Sequence, residues 1–234
     1  MEFFITRPEH DEATFYLSAW SKELIEMARG KGIQVFDFNK SRANATETAK
    51  LLTKKKPGLV MFNGHGGKYT IMGHKNEVLI EYGKNERLIR DKIVYCRSCN
   101  SAAGLGKKSI KSGVVAFLGY KDLFGFPLDP QRAAHPLRDK FARPCLEASN
   151  QAVKSLLKGN TVKEAHDSAQ AVFRAWIEKM QRSDAPQKPL IFCSGPCGTW
   201  STKNFMGMEM QNFTNHGINC SMFQSKREVS ICGD

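Results

Sequence analysis

The sequence predicts an α/β fold in which a mostly parallel central sheet is covered by helices on both faces, a three-layer αβα sandwich. Short runs rich in β-branched and aromatic residues recur along the chain, and longer segments with apolar residues at helical spacing separate them. One run, GLVMFNG at 58–64, is apolar at almost every position, which is typical of a parallel strand buried on both faces. Strands that alternate with helices form parallel sheets because each helix carries the chain back across the sheet.

The ends of the predicted strands position the reactive groups. Each strand is a run of five to eight residues with either alternating or continuous apolar character, bounded by Gly, Pro or charged residues. A hairpin is predicted over 68–80, between the third and fourth of these strands. The strands are predicted at 2–6, 32–38, 58–64, 92–99, 114–120 and 188–195.

The predicted helices follow from apolar spacing together with start and stop signals. Gly30 ends the first helix, and Pro57 stops the second. Thr161 and Glu164 form a T-x-x-E capping box at the start of the last helix. A proline-rich loop is predicted over 125–144. The helices are predicted at 11–29, 41–55, 84–90, 144–157 and from 161 onward, and 100–106 is predicted as a loop or the start of a helix.

The composition predicts a globular protein with one main domain. A chain of 234 residues has enough surface to bury for a core without disulfides. The seven cysteines are odd in number, and no secretory signal precedes them, so reduced thiols and a cytoplasmic location are expected. No apolar run approaches the ~20 residues of a membrane span, so no membrane partner is expected. We predict a domain at 1–195 and a Cys-, Asn- and Met-rich extension at 196–234 packed on it.

The positive charge is concentrated in one part of the chain. The formal net charge is +12, and residues 40–111 contain 16 basic and 5 acidic side chains. Such a field favours nucleic acid or acidic peptides as partners. A lysine-rich solvated surface explains the same residues without any partner, and the sequence leaves both explanations open.

A histidine and a cysteine follow two of the predicted strands directly. His65 stands in VMFNGHGG, and Cys99 stands in IVYCRSCNSAAGLG. If the two strands are neighbours, their carboxyl ends bring both side chains to one edge of the sheet. A histidine beside a cysteine can accept the thiol proton and produce a thiolate nucleophile. Each residue alone is more often structural, and the pairing on consecutive strand ends is what favours catalysis.

These two motifs resemble those of the caspase-like (clan CD) cysteine peptidases, and in style they are closest to bacterial CHAT domains. The resemblance implies a caspase–hemoglobinase-like sandwich and a cysteine endopeptidase acting on protein or peptide substrates. It also implies activity within a larger system or under a regulatory protein partner. His65 would be the general base and acid, Cys99 the nucleophile, and the backbone amides of Gly66 and Cys99 the oxyanion hole.

The motif departs from the caspase pattern in two respects. The Q-A-C-x-G signature is absent, and 34 residues separate His65 from Cys99 instead of about 50. In the resembled peptidases the residue two before the nucleophile often lines the specificity pocket, and here it is Arg97. Strand alternation places Arg97 on the same face as Cys99, which predicts a substrate-binding role and a preference for acidic side chains. The alternative is that Arg97 pairs with a structural carboxylate such as Asp122 or Asp129.

Two other classes of function stay open at this stage. The first is a non-catalytic caspase-like module that binds nucleic acid or a partner protein through residues 40–111, although no nucleic-acid motif and no interleaved aromatics support it. The second is a metal site, for which the spacing of the C-terminal cysteines is poor. No cofactor and no metal are predicted, since no dinucleotide or Walker motif is present. The cysteines concerned are Cys193, Cys197, Cys220 and Cys232.

Overall fold

The computed structural model describes residues 2–180, 182, 191–192 and 210–214. They form a sheet of six strands in the order β10-β7-β6-β3-β1-β2. Five strands are parallel, and β10 pairs antiparallel with β7 at one edge. The predicted α/β class with a mostly parallel sheet is therefore confirmed. The strands of the sheet are β1 (Glu2–Arg7), β2 (Gln34–Asn39), β3 (Leu59–Asn63), β6 (Ile93–Arg97), β7 (Ala116–Tyr120) and β10 (Met210–Thr214).

Helices cover the sheet on both faces because alternate strand residues point to opposite sides. Phe3, Ile5 and Tyr95 pack in one cluster with three long helices, and Phe4 and Val94 pack in a second cluster with a shorter helix and the loop elements. Both layers have apolar cores that exclude water. The first layer contains α1 (Glu12–Gly30), α4 (Arg143–Leu157) and α5 (Val162–Met180), and the second contains α2 (Ala45–Lys54) and α3 (Lys107–Lys111).

The helix boundaries follow the capping chemistry of the sequence. The Asp11 side chain accepts the N–H of Thr14 at 2.8 Å and begins α1. The predicted capping box of α5 is present, with Thr161 N–H donating to Glu164 at 2.7 Å and Glu164 N–H donating to Thr161 Oγ1 at 3.2 Å. Side-chain acceptors at these positions satisfy amides that would otherwise lack partners.

Several smaller elements differ from the sequence prediction. The predicted short helix at 84–90 is a single 3₁₀ turn (Glu86–Ile89), and the segment at 100–106 forms a π-type turn (Ala102–Gly106) that runs into α3. The predicted hairpin is confirmed as β4 (Thr70–Met72) and β5 (Val78–Glu81). The loop at 125–144 includes a short strand, β8 (Pro127–Leu128), which pairs with β9 (Ile191–Phe192).

The C-terminal predictions can be compared with the structure at few positions. Strand β10 lies within the predicted extension at 196–234, and the sequence analysis did not identify it. Most of that extension, including Cys197, Cys220 and Cys232, lies outside the described residues, as does Cys193 just before it, and the domain boundary stays a prediction. In the described ranges, no helix has an apolar stretch long enough to cross a bilayer.

Candidate active site

His65 and Cys99 follow the ends of two neighbouring strands at matching positions. Strands β3 and β6 are adjacent and parallel, and their last paired residues are Asn63 and Arg97. Each candidate residue is two positions beyond that pair. His65 and Cys99 also line one pocket, together with Gly64, Ser98 and residues of α1 and the loop after β7. The structure therefore brings the two predicted residues together at the carboxyl edge of the sheet.

Glycines beside His65 allow its loop to lie against the loop of Cys99. Gly64 has φ +146°, and a Cβ there would overlap the carbonyl oxygen of Met72. A Cβ on Gly66 would lie 2.8 Å from Ser98 Oγ, so only glycine permits this approach of the two loops. Larger residues at either position would separate His65 from Cys99.

The N–H of Gly66 takes no part in the local ladder. Gly66 and Ile71 form an isolated antiparallel bridge, whose two hydrogen bonds run from Met72 N–H to His65 C=O and from Gly67 N–H to Thr70 C=O, both at 3.0 Å. These bonds flank Gly66 and leave its own N–H unused within the bridge. An amide that the bridge does not use is the kind of donor that an oxyanion hole requires.

Asp11 is a site residue that the sequence analysis missed. Its Oδ2 accepts a hydrogen bond from His65 Nε2 at 2.7 Å. Its Oδ1 meanwhile accepts the N–H of Thr14 at 2.8 Å as the cap of α1, so the carboxylate is held from two sides. Since β1 lies next to β3, the loop that follows β1 reaches the same edge of the sheet. The carboxylate at the start of the first helix was the signal that could have identified it.

The charge of Asp11 is maintained by its hydrogen bonds. Partial burial raises the pKa of Asp11, but the amide of Thr14 and the side chains of His65 and Thr14 together lower it below the ordinary value of 3.8. The carboxylate is therefore ionised at neutral and weakly acidic pH. Because the folded-state pKa is depressed, any contribution of this group to stability is present above pH 3.8 and is lost as the pH falls through the folded-state pKa.

Cys99 is a partly buried thiol held by the loop after β7. Phe124 N–H donates to Cys99 Sγ at 3.4 Å, and the thiol faces the Phe124 carbonyl at 3.8 Å. Burial raises the pKa of Cys99 above its ordinary value of 9.0, and the Phe124 amide offsets part of this effect. No hydrogen bond joins Cys99 to His65, both of which are described, so the resting thiol is neutral and needs a base to react.

Alkylation by iodoacetamide is expected to distinguish Cys99 from the other described cysteines. Cys96 and Cys145 are fully buried, and burial raises their pKa values to about 11 and about 12, respectively. We expect Cys99 in the folded protein to react at least roughly tenfold faster, since the thiolate must be both formed and accessible. The rate should keep rising past pH 9, because a raised pKa moves thiolate formation to higher pH. Peptide mapping by mass spectrometry measures both quantities, and a plateau below pH 7 would contradict the neutral resting thiol.

Arg97 does not line the pocket, and the predicted substrate-binding role is wrong. Its side chain is fully buried on the predicted face of β6, beneath α1 and α4. Its Nε donates to Asn63 at 2.8 Å, and one terminal nitrogen donates to Asn150 at 2.9 Å. The other donates to the Leu17 carbonyl at 3.0 Å and to Ser21 at 2.5 Å. The partners are neutral oxygens and not the alternative carboxylates, Asp122 and Asp129.

One cluster near the pocket has ligand atoms suited to a metal ion. A nitrogen of His10, a carboxylate oxygen of Asp11 and a nitrogen of His65 all lie within 4.8 Å of one another. The ring of His10 stacks edge-on against that of His65, with centroids 6.0 Å apart. Two imidazoles and a carboxylate are ligands for Zn²⁺ and related ions.

Comparison with known proteins identifies no family for this chain. No family model matches it, and no curated protein matches it. Among solved structures, the Arg-specific cysteine proteinase gingipain R is similar with a TM-score of 0.48 and 9% identity, over 77% of this chain and 42% of that one. The Saccharomyces cerevisiae separase–securin complex is similar with a TM-score of 0.45 and 17% identity, over 73% of this chain and 10% of that one. This chain thus spans less than half of either protein, and the likenesses concern the fold alone.

Proposed function

We propose that this chain is a cysteine endopeptidase with Cys99 as nucleophile and His65 as general base and acid. The observation that supports it is the placement of both residues two positions beyond the same β3–β6 pair, on one pocket. The finer likeness to CHAT domains is a hypothesis based on the motif IVYCRSCNSAAGLG. Incubation of the chain with a peptide library, followed by detection of new termini, tests the activity.

In the proposed reaction, a proton moves from the Cys99 thiol to His65 and the sulfur attacks the scissile carbonyl carbon. The tetrahedral oxyanion accepts hydrogen bonds from the amides of Gly66 and Cys99. The C–N bond then breaks, the amine leaves with the proton from His65, and a thioester remains on Cys99. Water, deprotonated by His65, hydrolyses the thioester and restores the thiol.

Asp11 serves as a positioning residue in this scheme. Because His65 Nε2 donates to Asp11 Oδ2, the neutral imidazole has its lone pair on Nδ1, which is the nitrogen that accepts the proton of Cys99. The negative charge also stabilises the imidazolium that forms. A carboxylate already fixed by the α1 cap performs this orientation without reorganisation.

The Asp11→Asn variant is expected to lose activity without losing the helix cap. Asparagine caps helices about as well as aspartate, but it cannot stabilise an imidazolium. We expect kcat to fall by about 10² to 10⁴-fold while KM and the unfolding midpoint stay near their original values. Steady-state kinetics and urea unfolding measure these quantities. A kcat unchanged in Asp11→Asn would remove Asp11 from the mechanism, and Asp11→Ala serves as the comparison in which the cap is also lost.

Substrate preference is proposed to be for uncharged side chains. With Arg97 buried, the walls of the pocket include Leu17, Phe124 and Phe126. Apolar walls bind apolar groups and leave a charged side chain without a partner. The basic residues at 40–111 would attract acidic segments of a protein substrate at longer range. A regulatory protein partner remains part of the hypothesis that the resemblance supplies.

A second candidate function, binding of single-stranded nucleic acid, is favoured by one surface feature. Tyr69 and Tyr82 are 39% and 38% exposed, and Lys108 Nζ lies 4.9 Å and 4.3 Å from the centres of their rings. Lys68 Nζ lies 5.5 Å from the ring of Tyr69. Although the sequence shows no interleaved aromatics, the fold places two tyrosines among lysines, and such surfaces stack bases and neutralise phosphates.

Fluorescence anisotropy with a labelled oligonucleotide tests this second function. Binding that weakens steeply with salt, persists in Cys99→Ala and falls at least roughly tenfold in a Tyr69→Ala/Tyr82→Ala variant would support it. The matched control is Lys54→Ala/Lys55→Ala, which removes two exposed charges and leaves both rings. Equal losses of affinity in the two variants would contradict a binding surface formed by the two tyrosine rings.

A further inference from the structure

Three ligand atoms from two loops converge beside the pocket. The loop after β1 supplies His10 and Asp11, and the loop after β3 supplies His65. We propose that these three side chains bind one Zn²⁺ ion and that the bound ion inactivates the Cys99–His65 pair. The inhibition, though not the binding, depends on the proposed peptidase function.

The spacing of the atoms suits a tetrahedral ion with little movement. Asp11 Oδ2 lies 2.7 Å from His65 Nε2 and 3.4 Å from His10 Nε2. Zinc–nitrogen and zinc–oxygen bonds of about 2.0–2.1 Å place tetrahedral ligands roughly 3.3 Å apart. Opening the shorter distance by about 0.6 Å therefore admits the ion, and a water molecule completes the four ligands.

The central ligand is held in place before any ion binds. Asp11 Oδ1 accepts the amide of Thr14 at 2.8 Å, which fixes the carboxylate and directs Oδ2 toward both imidazoles. His10 Nε2 also lies 3.3 Å from Asn76 Oδ1, and the ring of His74 packs on the His10 ring with centroids 5.5 Å apart. Ligands restrained in this way lose little conformational freedom on binding.

The ligand types and their exposure indicate a transition-metal ion. Calcium and magnesium favour oxygen ligands, whereas two imidazoles with one carboxylate suit Zn²⁺. The side chains of His65 and Asp11 are 35% and 38% exposed, so an ion can reach the cluster from solvent. His10 is 11% exposed and forms the inner wall.

Inactivation follows from the proton positions on His65. In the metal-free site Nε2–H donates to Asp11, which leaves the lone pair on Nδ1. In the proposed mechanism that lone pair accepts the Cys99 proton. A zinc ion bound to Nε2 takes the lone pair of that nitrogen, so the neutral ring must place its proton on Nδ1. The base is then lost, with no change in oxidation state.

Zinc binding is tested in the absence of catalysis. The full chain with Cys99→Ala is titrated with Zn²⁺ against a chromophoric chelator, so that neither the thiol nor peptidase activity is needed. We expect one bound ion that is retained in Cys99→Ala and weakened at least about 100-fold when His10→Ala is added, since removing a ligand exceeds the 10–100-fold effect of second-shell changes. Adding His166→Ala, on α5, is the matched control and should leave the ion bound.

Three outcomes would overturn the proposal. Unchanged affinity in the His10→Ala variant would exclude the site, and loss of the ion in Cys99→Ala alone would place it on the thiol. A Co²⁺ complex of the Cys99→Ala chain with thiolate charge-transfer absorption that persists in His10→Ala would assign the metal to other cysteines.

The inhibitory effect is measured separately, on the chain with Cys99 intact. Zinc should inhibit hydrolysis reversibly, with EDTA restoring the rate, and His10→Ala should need a zinc concentration higher by the same factor as its loss in affinity. Each variant is compared with its own metal-free rate. Absence of any peptidase activity would refute the proposed function without affecting the proposed zinc site. Zinc binding without inhibition would refute only the proposed inactivation.

Discussion

Replacement of Cys99 by alanine is expected to abolish peptide hydrolysis, and His65→Ala is expected to reduce it almost as far. Residues that act as one catalytic unit each cost about 10⁴ to 10⁶-fold in kcat when they are removed, because either loss disables the same step. The double variant Cys99→Ala/His65→Ala should therefore be no slower than Cys99→Ala. Initial rates on a cleaved library peptide measure all three.

Two control variants show that these losses are specific. Cys145→Ala removes a fully buried thiol of α4, and His166→Ala removes an imidazole of α5, and neither residue lines the pocket of His65 and Cys99. Both should keep kcat within a few-fold of the parent chain. Additive losses in the double variant, or activity that survives in Cys99→Ala, would contradict the Cys–His pair.

Replacement of Arg97 by leucine is expected to lower the free energy of unfolding by about 2–6 kcal/mol, because each of two buried polar groups left without a partner costs about 1–3 kcal/mol. The guanidinium donates to Asn63, Asn150, Ser21 and the carbonyl of Leu17, and leucine would leave the buried amide oxygens of Asn63 and Asn150 without this donor. Asn150 also donates to Trp20 O and Glu23, so the network joins α1 to α4. Urea or thermal unfolding measures the loss.

Arg42→Ala is the matched control for this prediction. Arg42 is 54% exposed and pairs with Glu47 at 3.0 Å, and exposed pairs of this kind contribute at most about 1 kcal/mol. If Arg97→Leu folds with unchanged stability and loses turnover of acidic substrates, then Arg97 binds substrate after all. If the variant fails to fold, Arg97→Lys, which keeps the charge, should fold with lowered stability and an unchanged substrate preference.

The carboxyl edge of the sheet was predictable because its determinants are local. Continuous apolar runs identify central parallel strands, and each strand's final residues are fixed by where that run stops. Neither motif specifies which strands are neighbours in the sheet. Consecutive strands joined by helices nevertheless commonly lie side by side and parallel. His65 and Cys99 could therefore be placed together from sequence.

The roles of Arg97 and Asp11 depended on contacts between distant segments. Strand alternation gave the correct face of Arg97, but it could not show that α1 and α4 cover that face with neutral oxygen acceptors. Asp11 lies 54 residues before His65, and its position at the site depends on β1 being the neighbour of β3. The glycine-rich segment at 100–106 likewise showed no apolar period, so its π-type turn was not predicted.

Mapping the adduct of a peptidyl acyloxymethyl ketone on the intact chain tests the Cys99–His65 pair most directly. Such a reagent occupies the substrate pocket and transfers its peptidyl group to the nucleophile. The predicted result is a single adduct on Cys99 that disappears in His65→Ala and is slowed in Asp11→Asn. Modification spread over several of the seven cysteines, or a Cys99 adduct formed equally fast in His65→Ala, would contradict it.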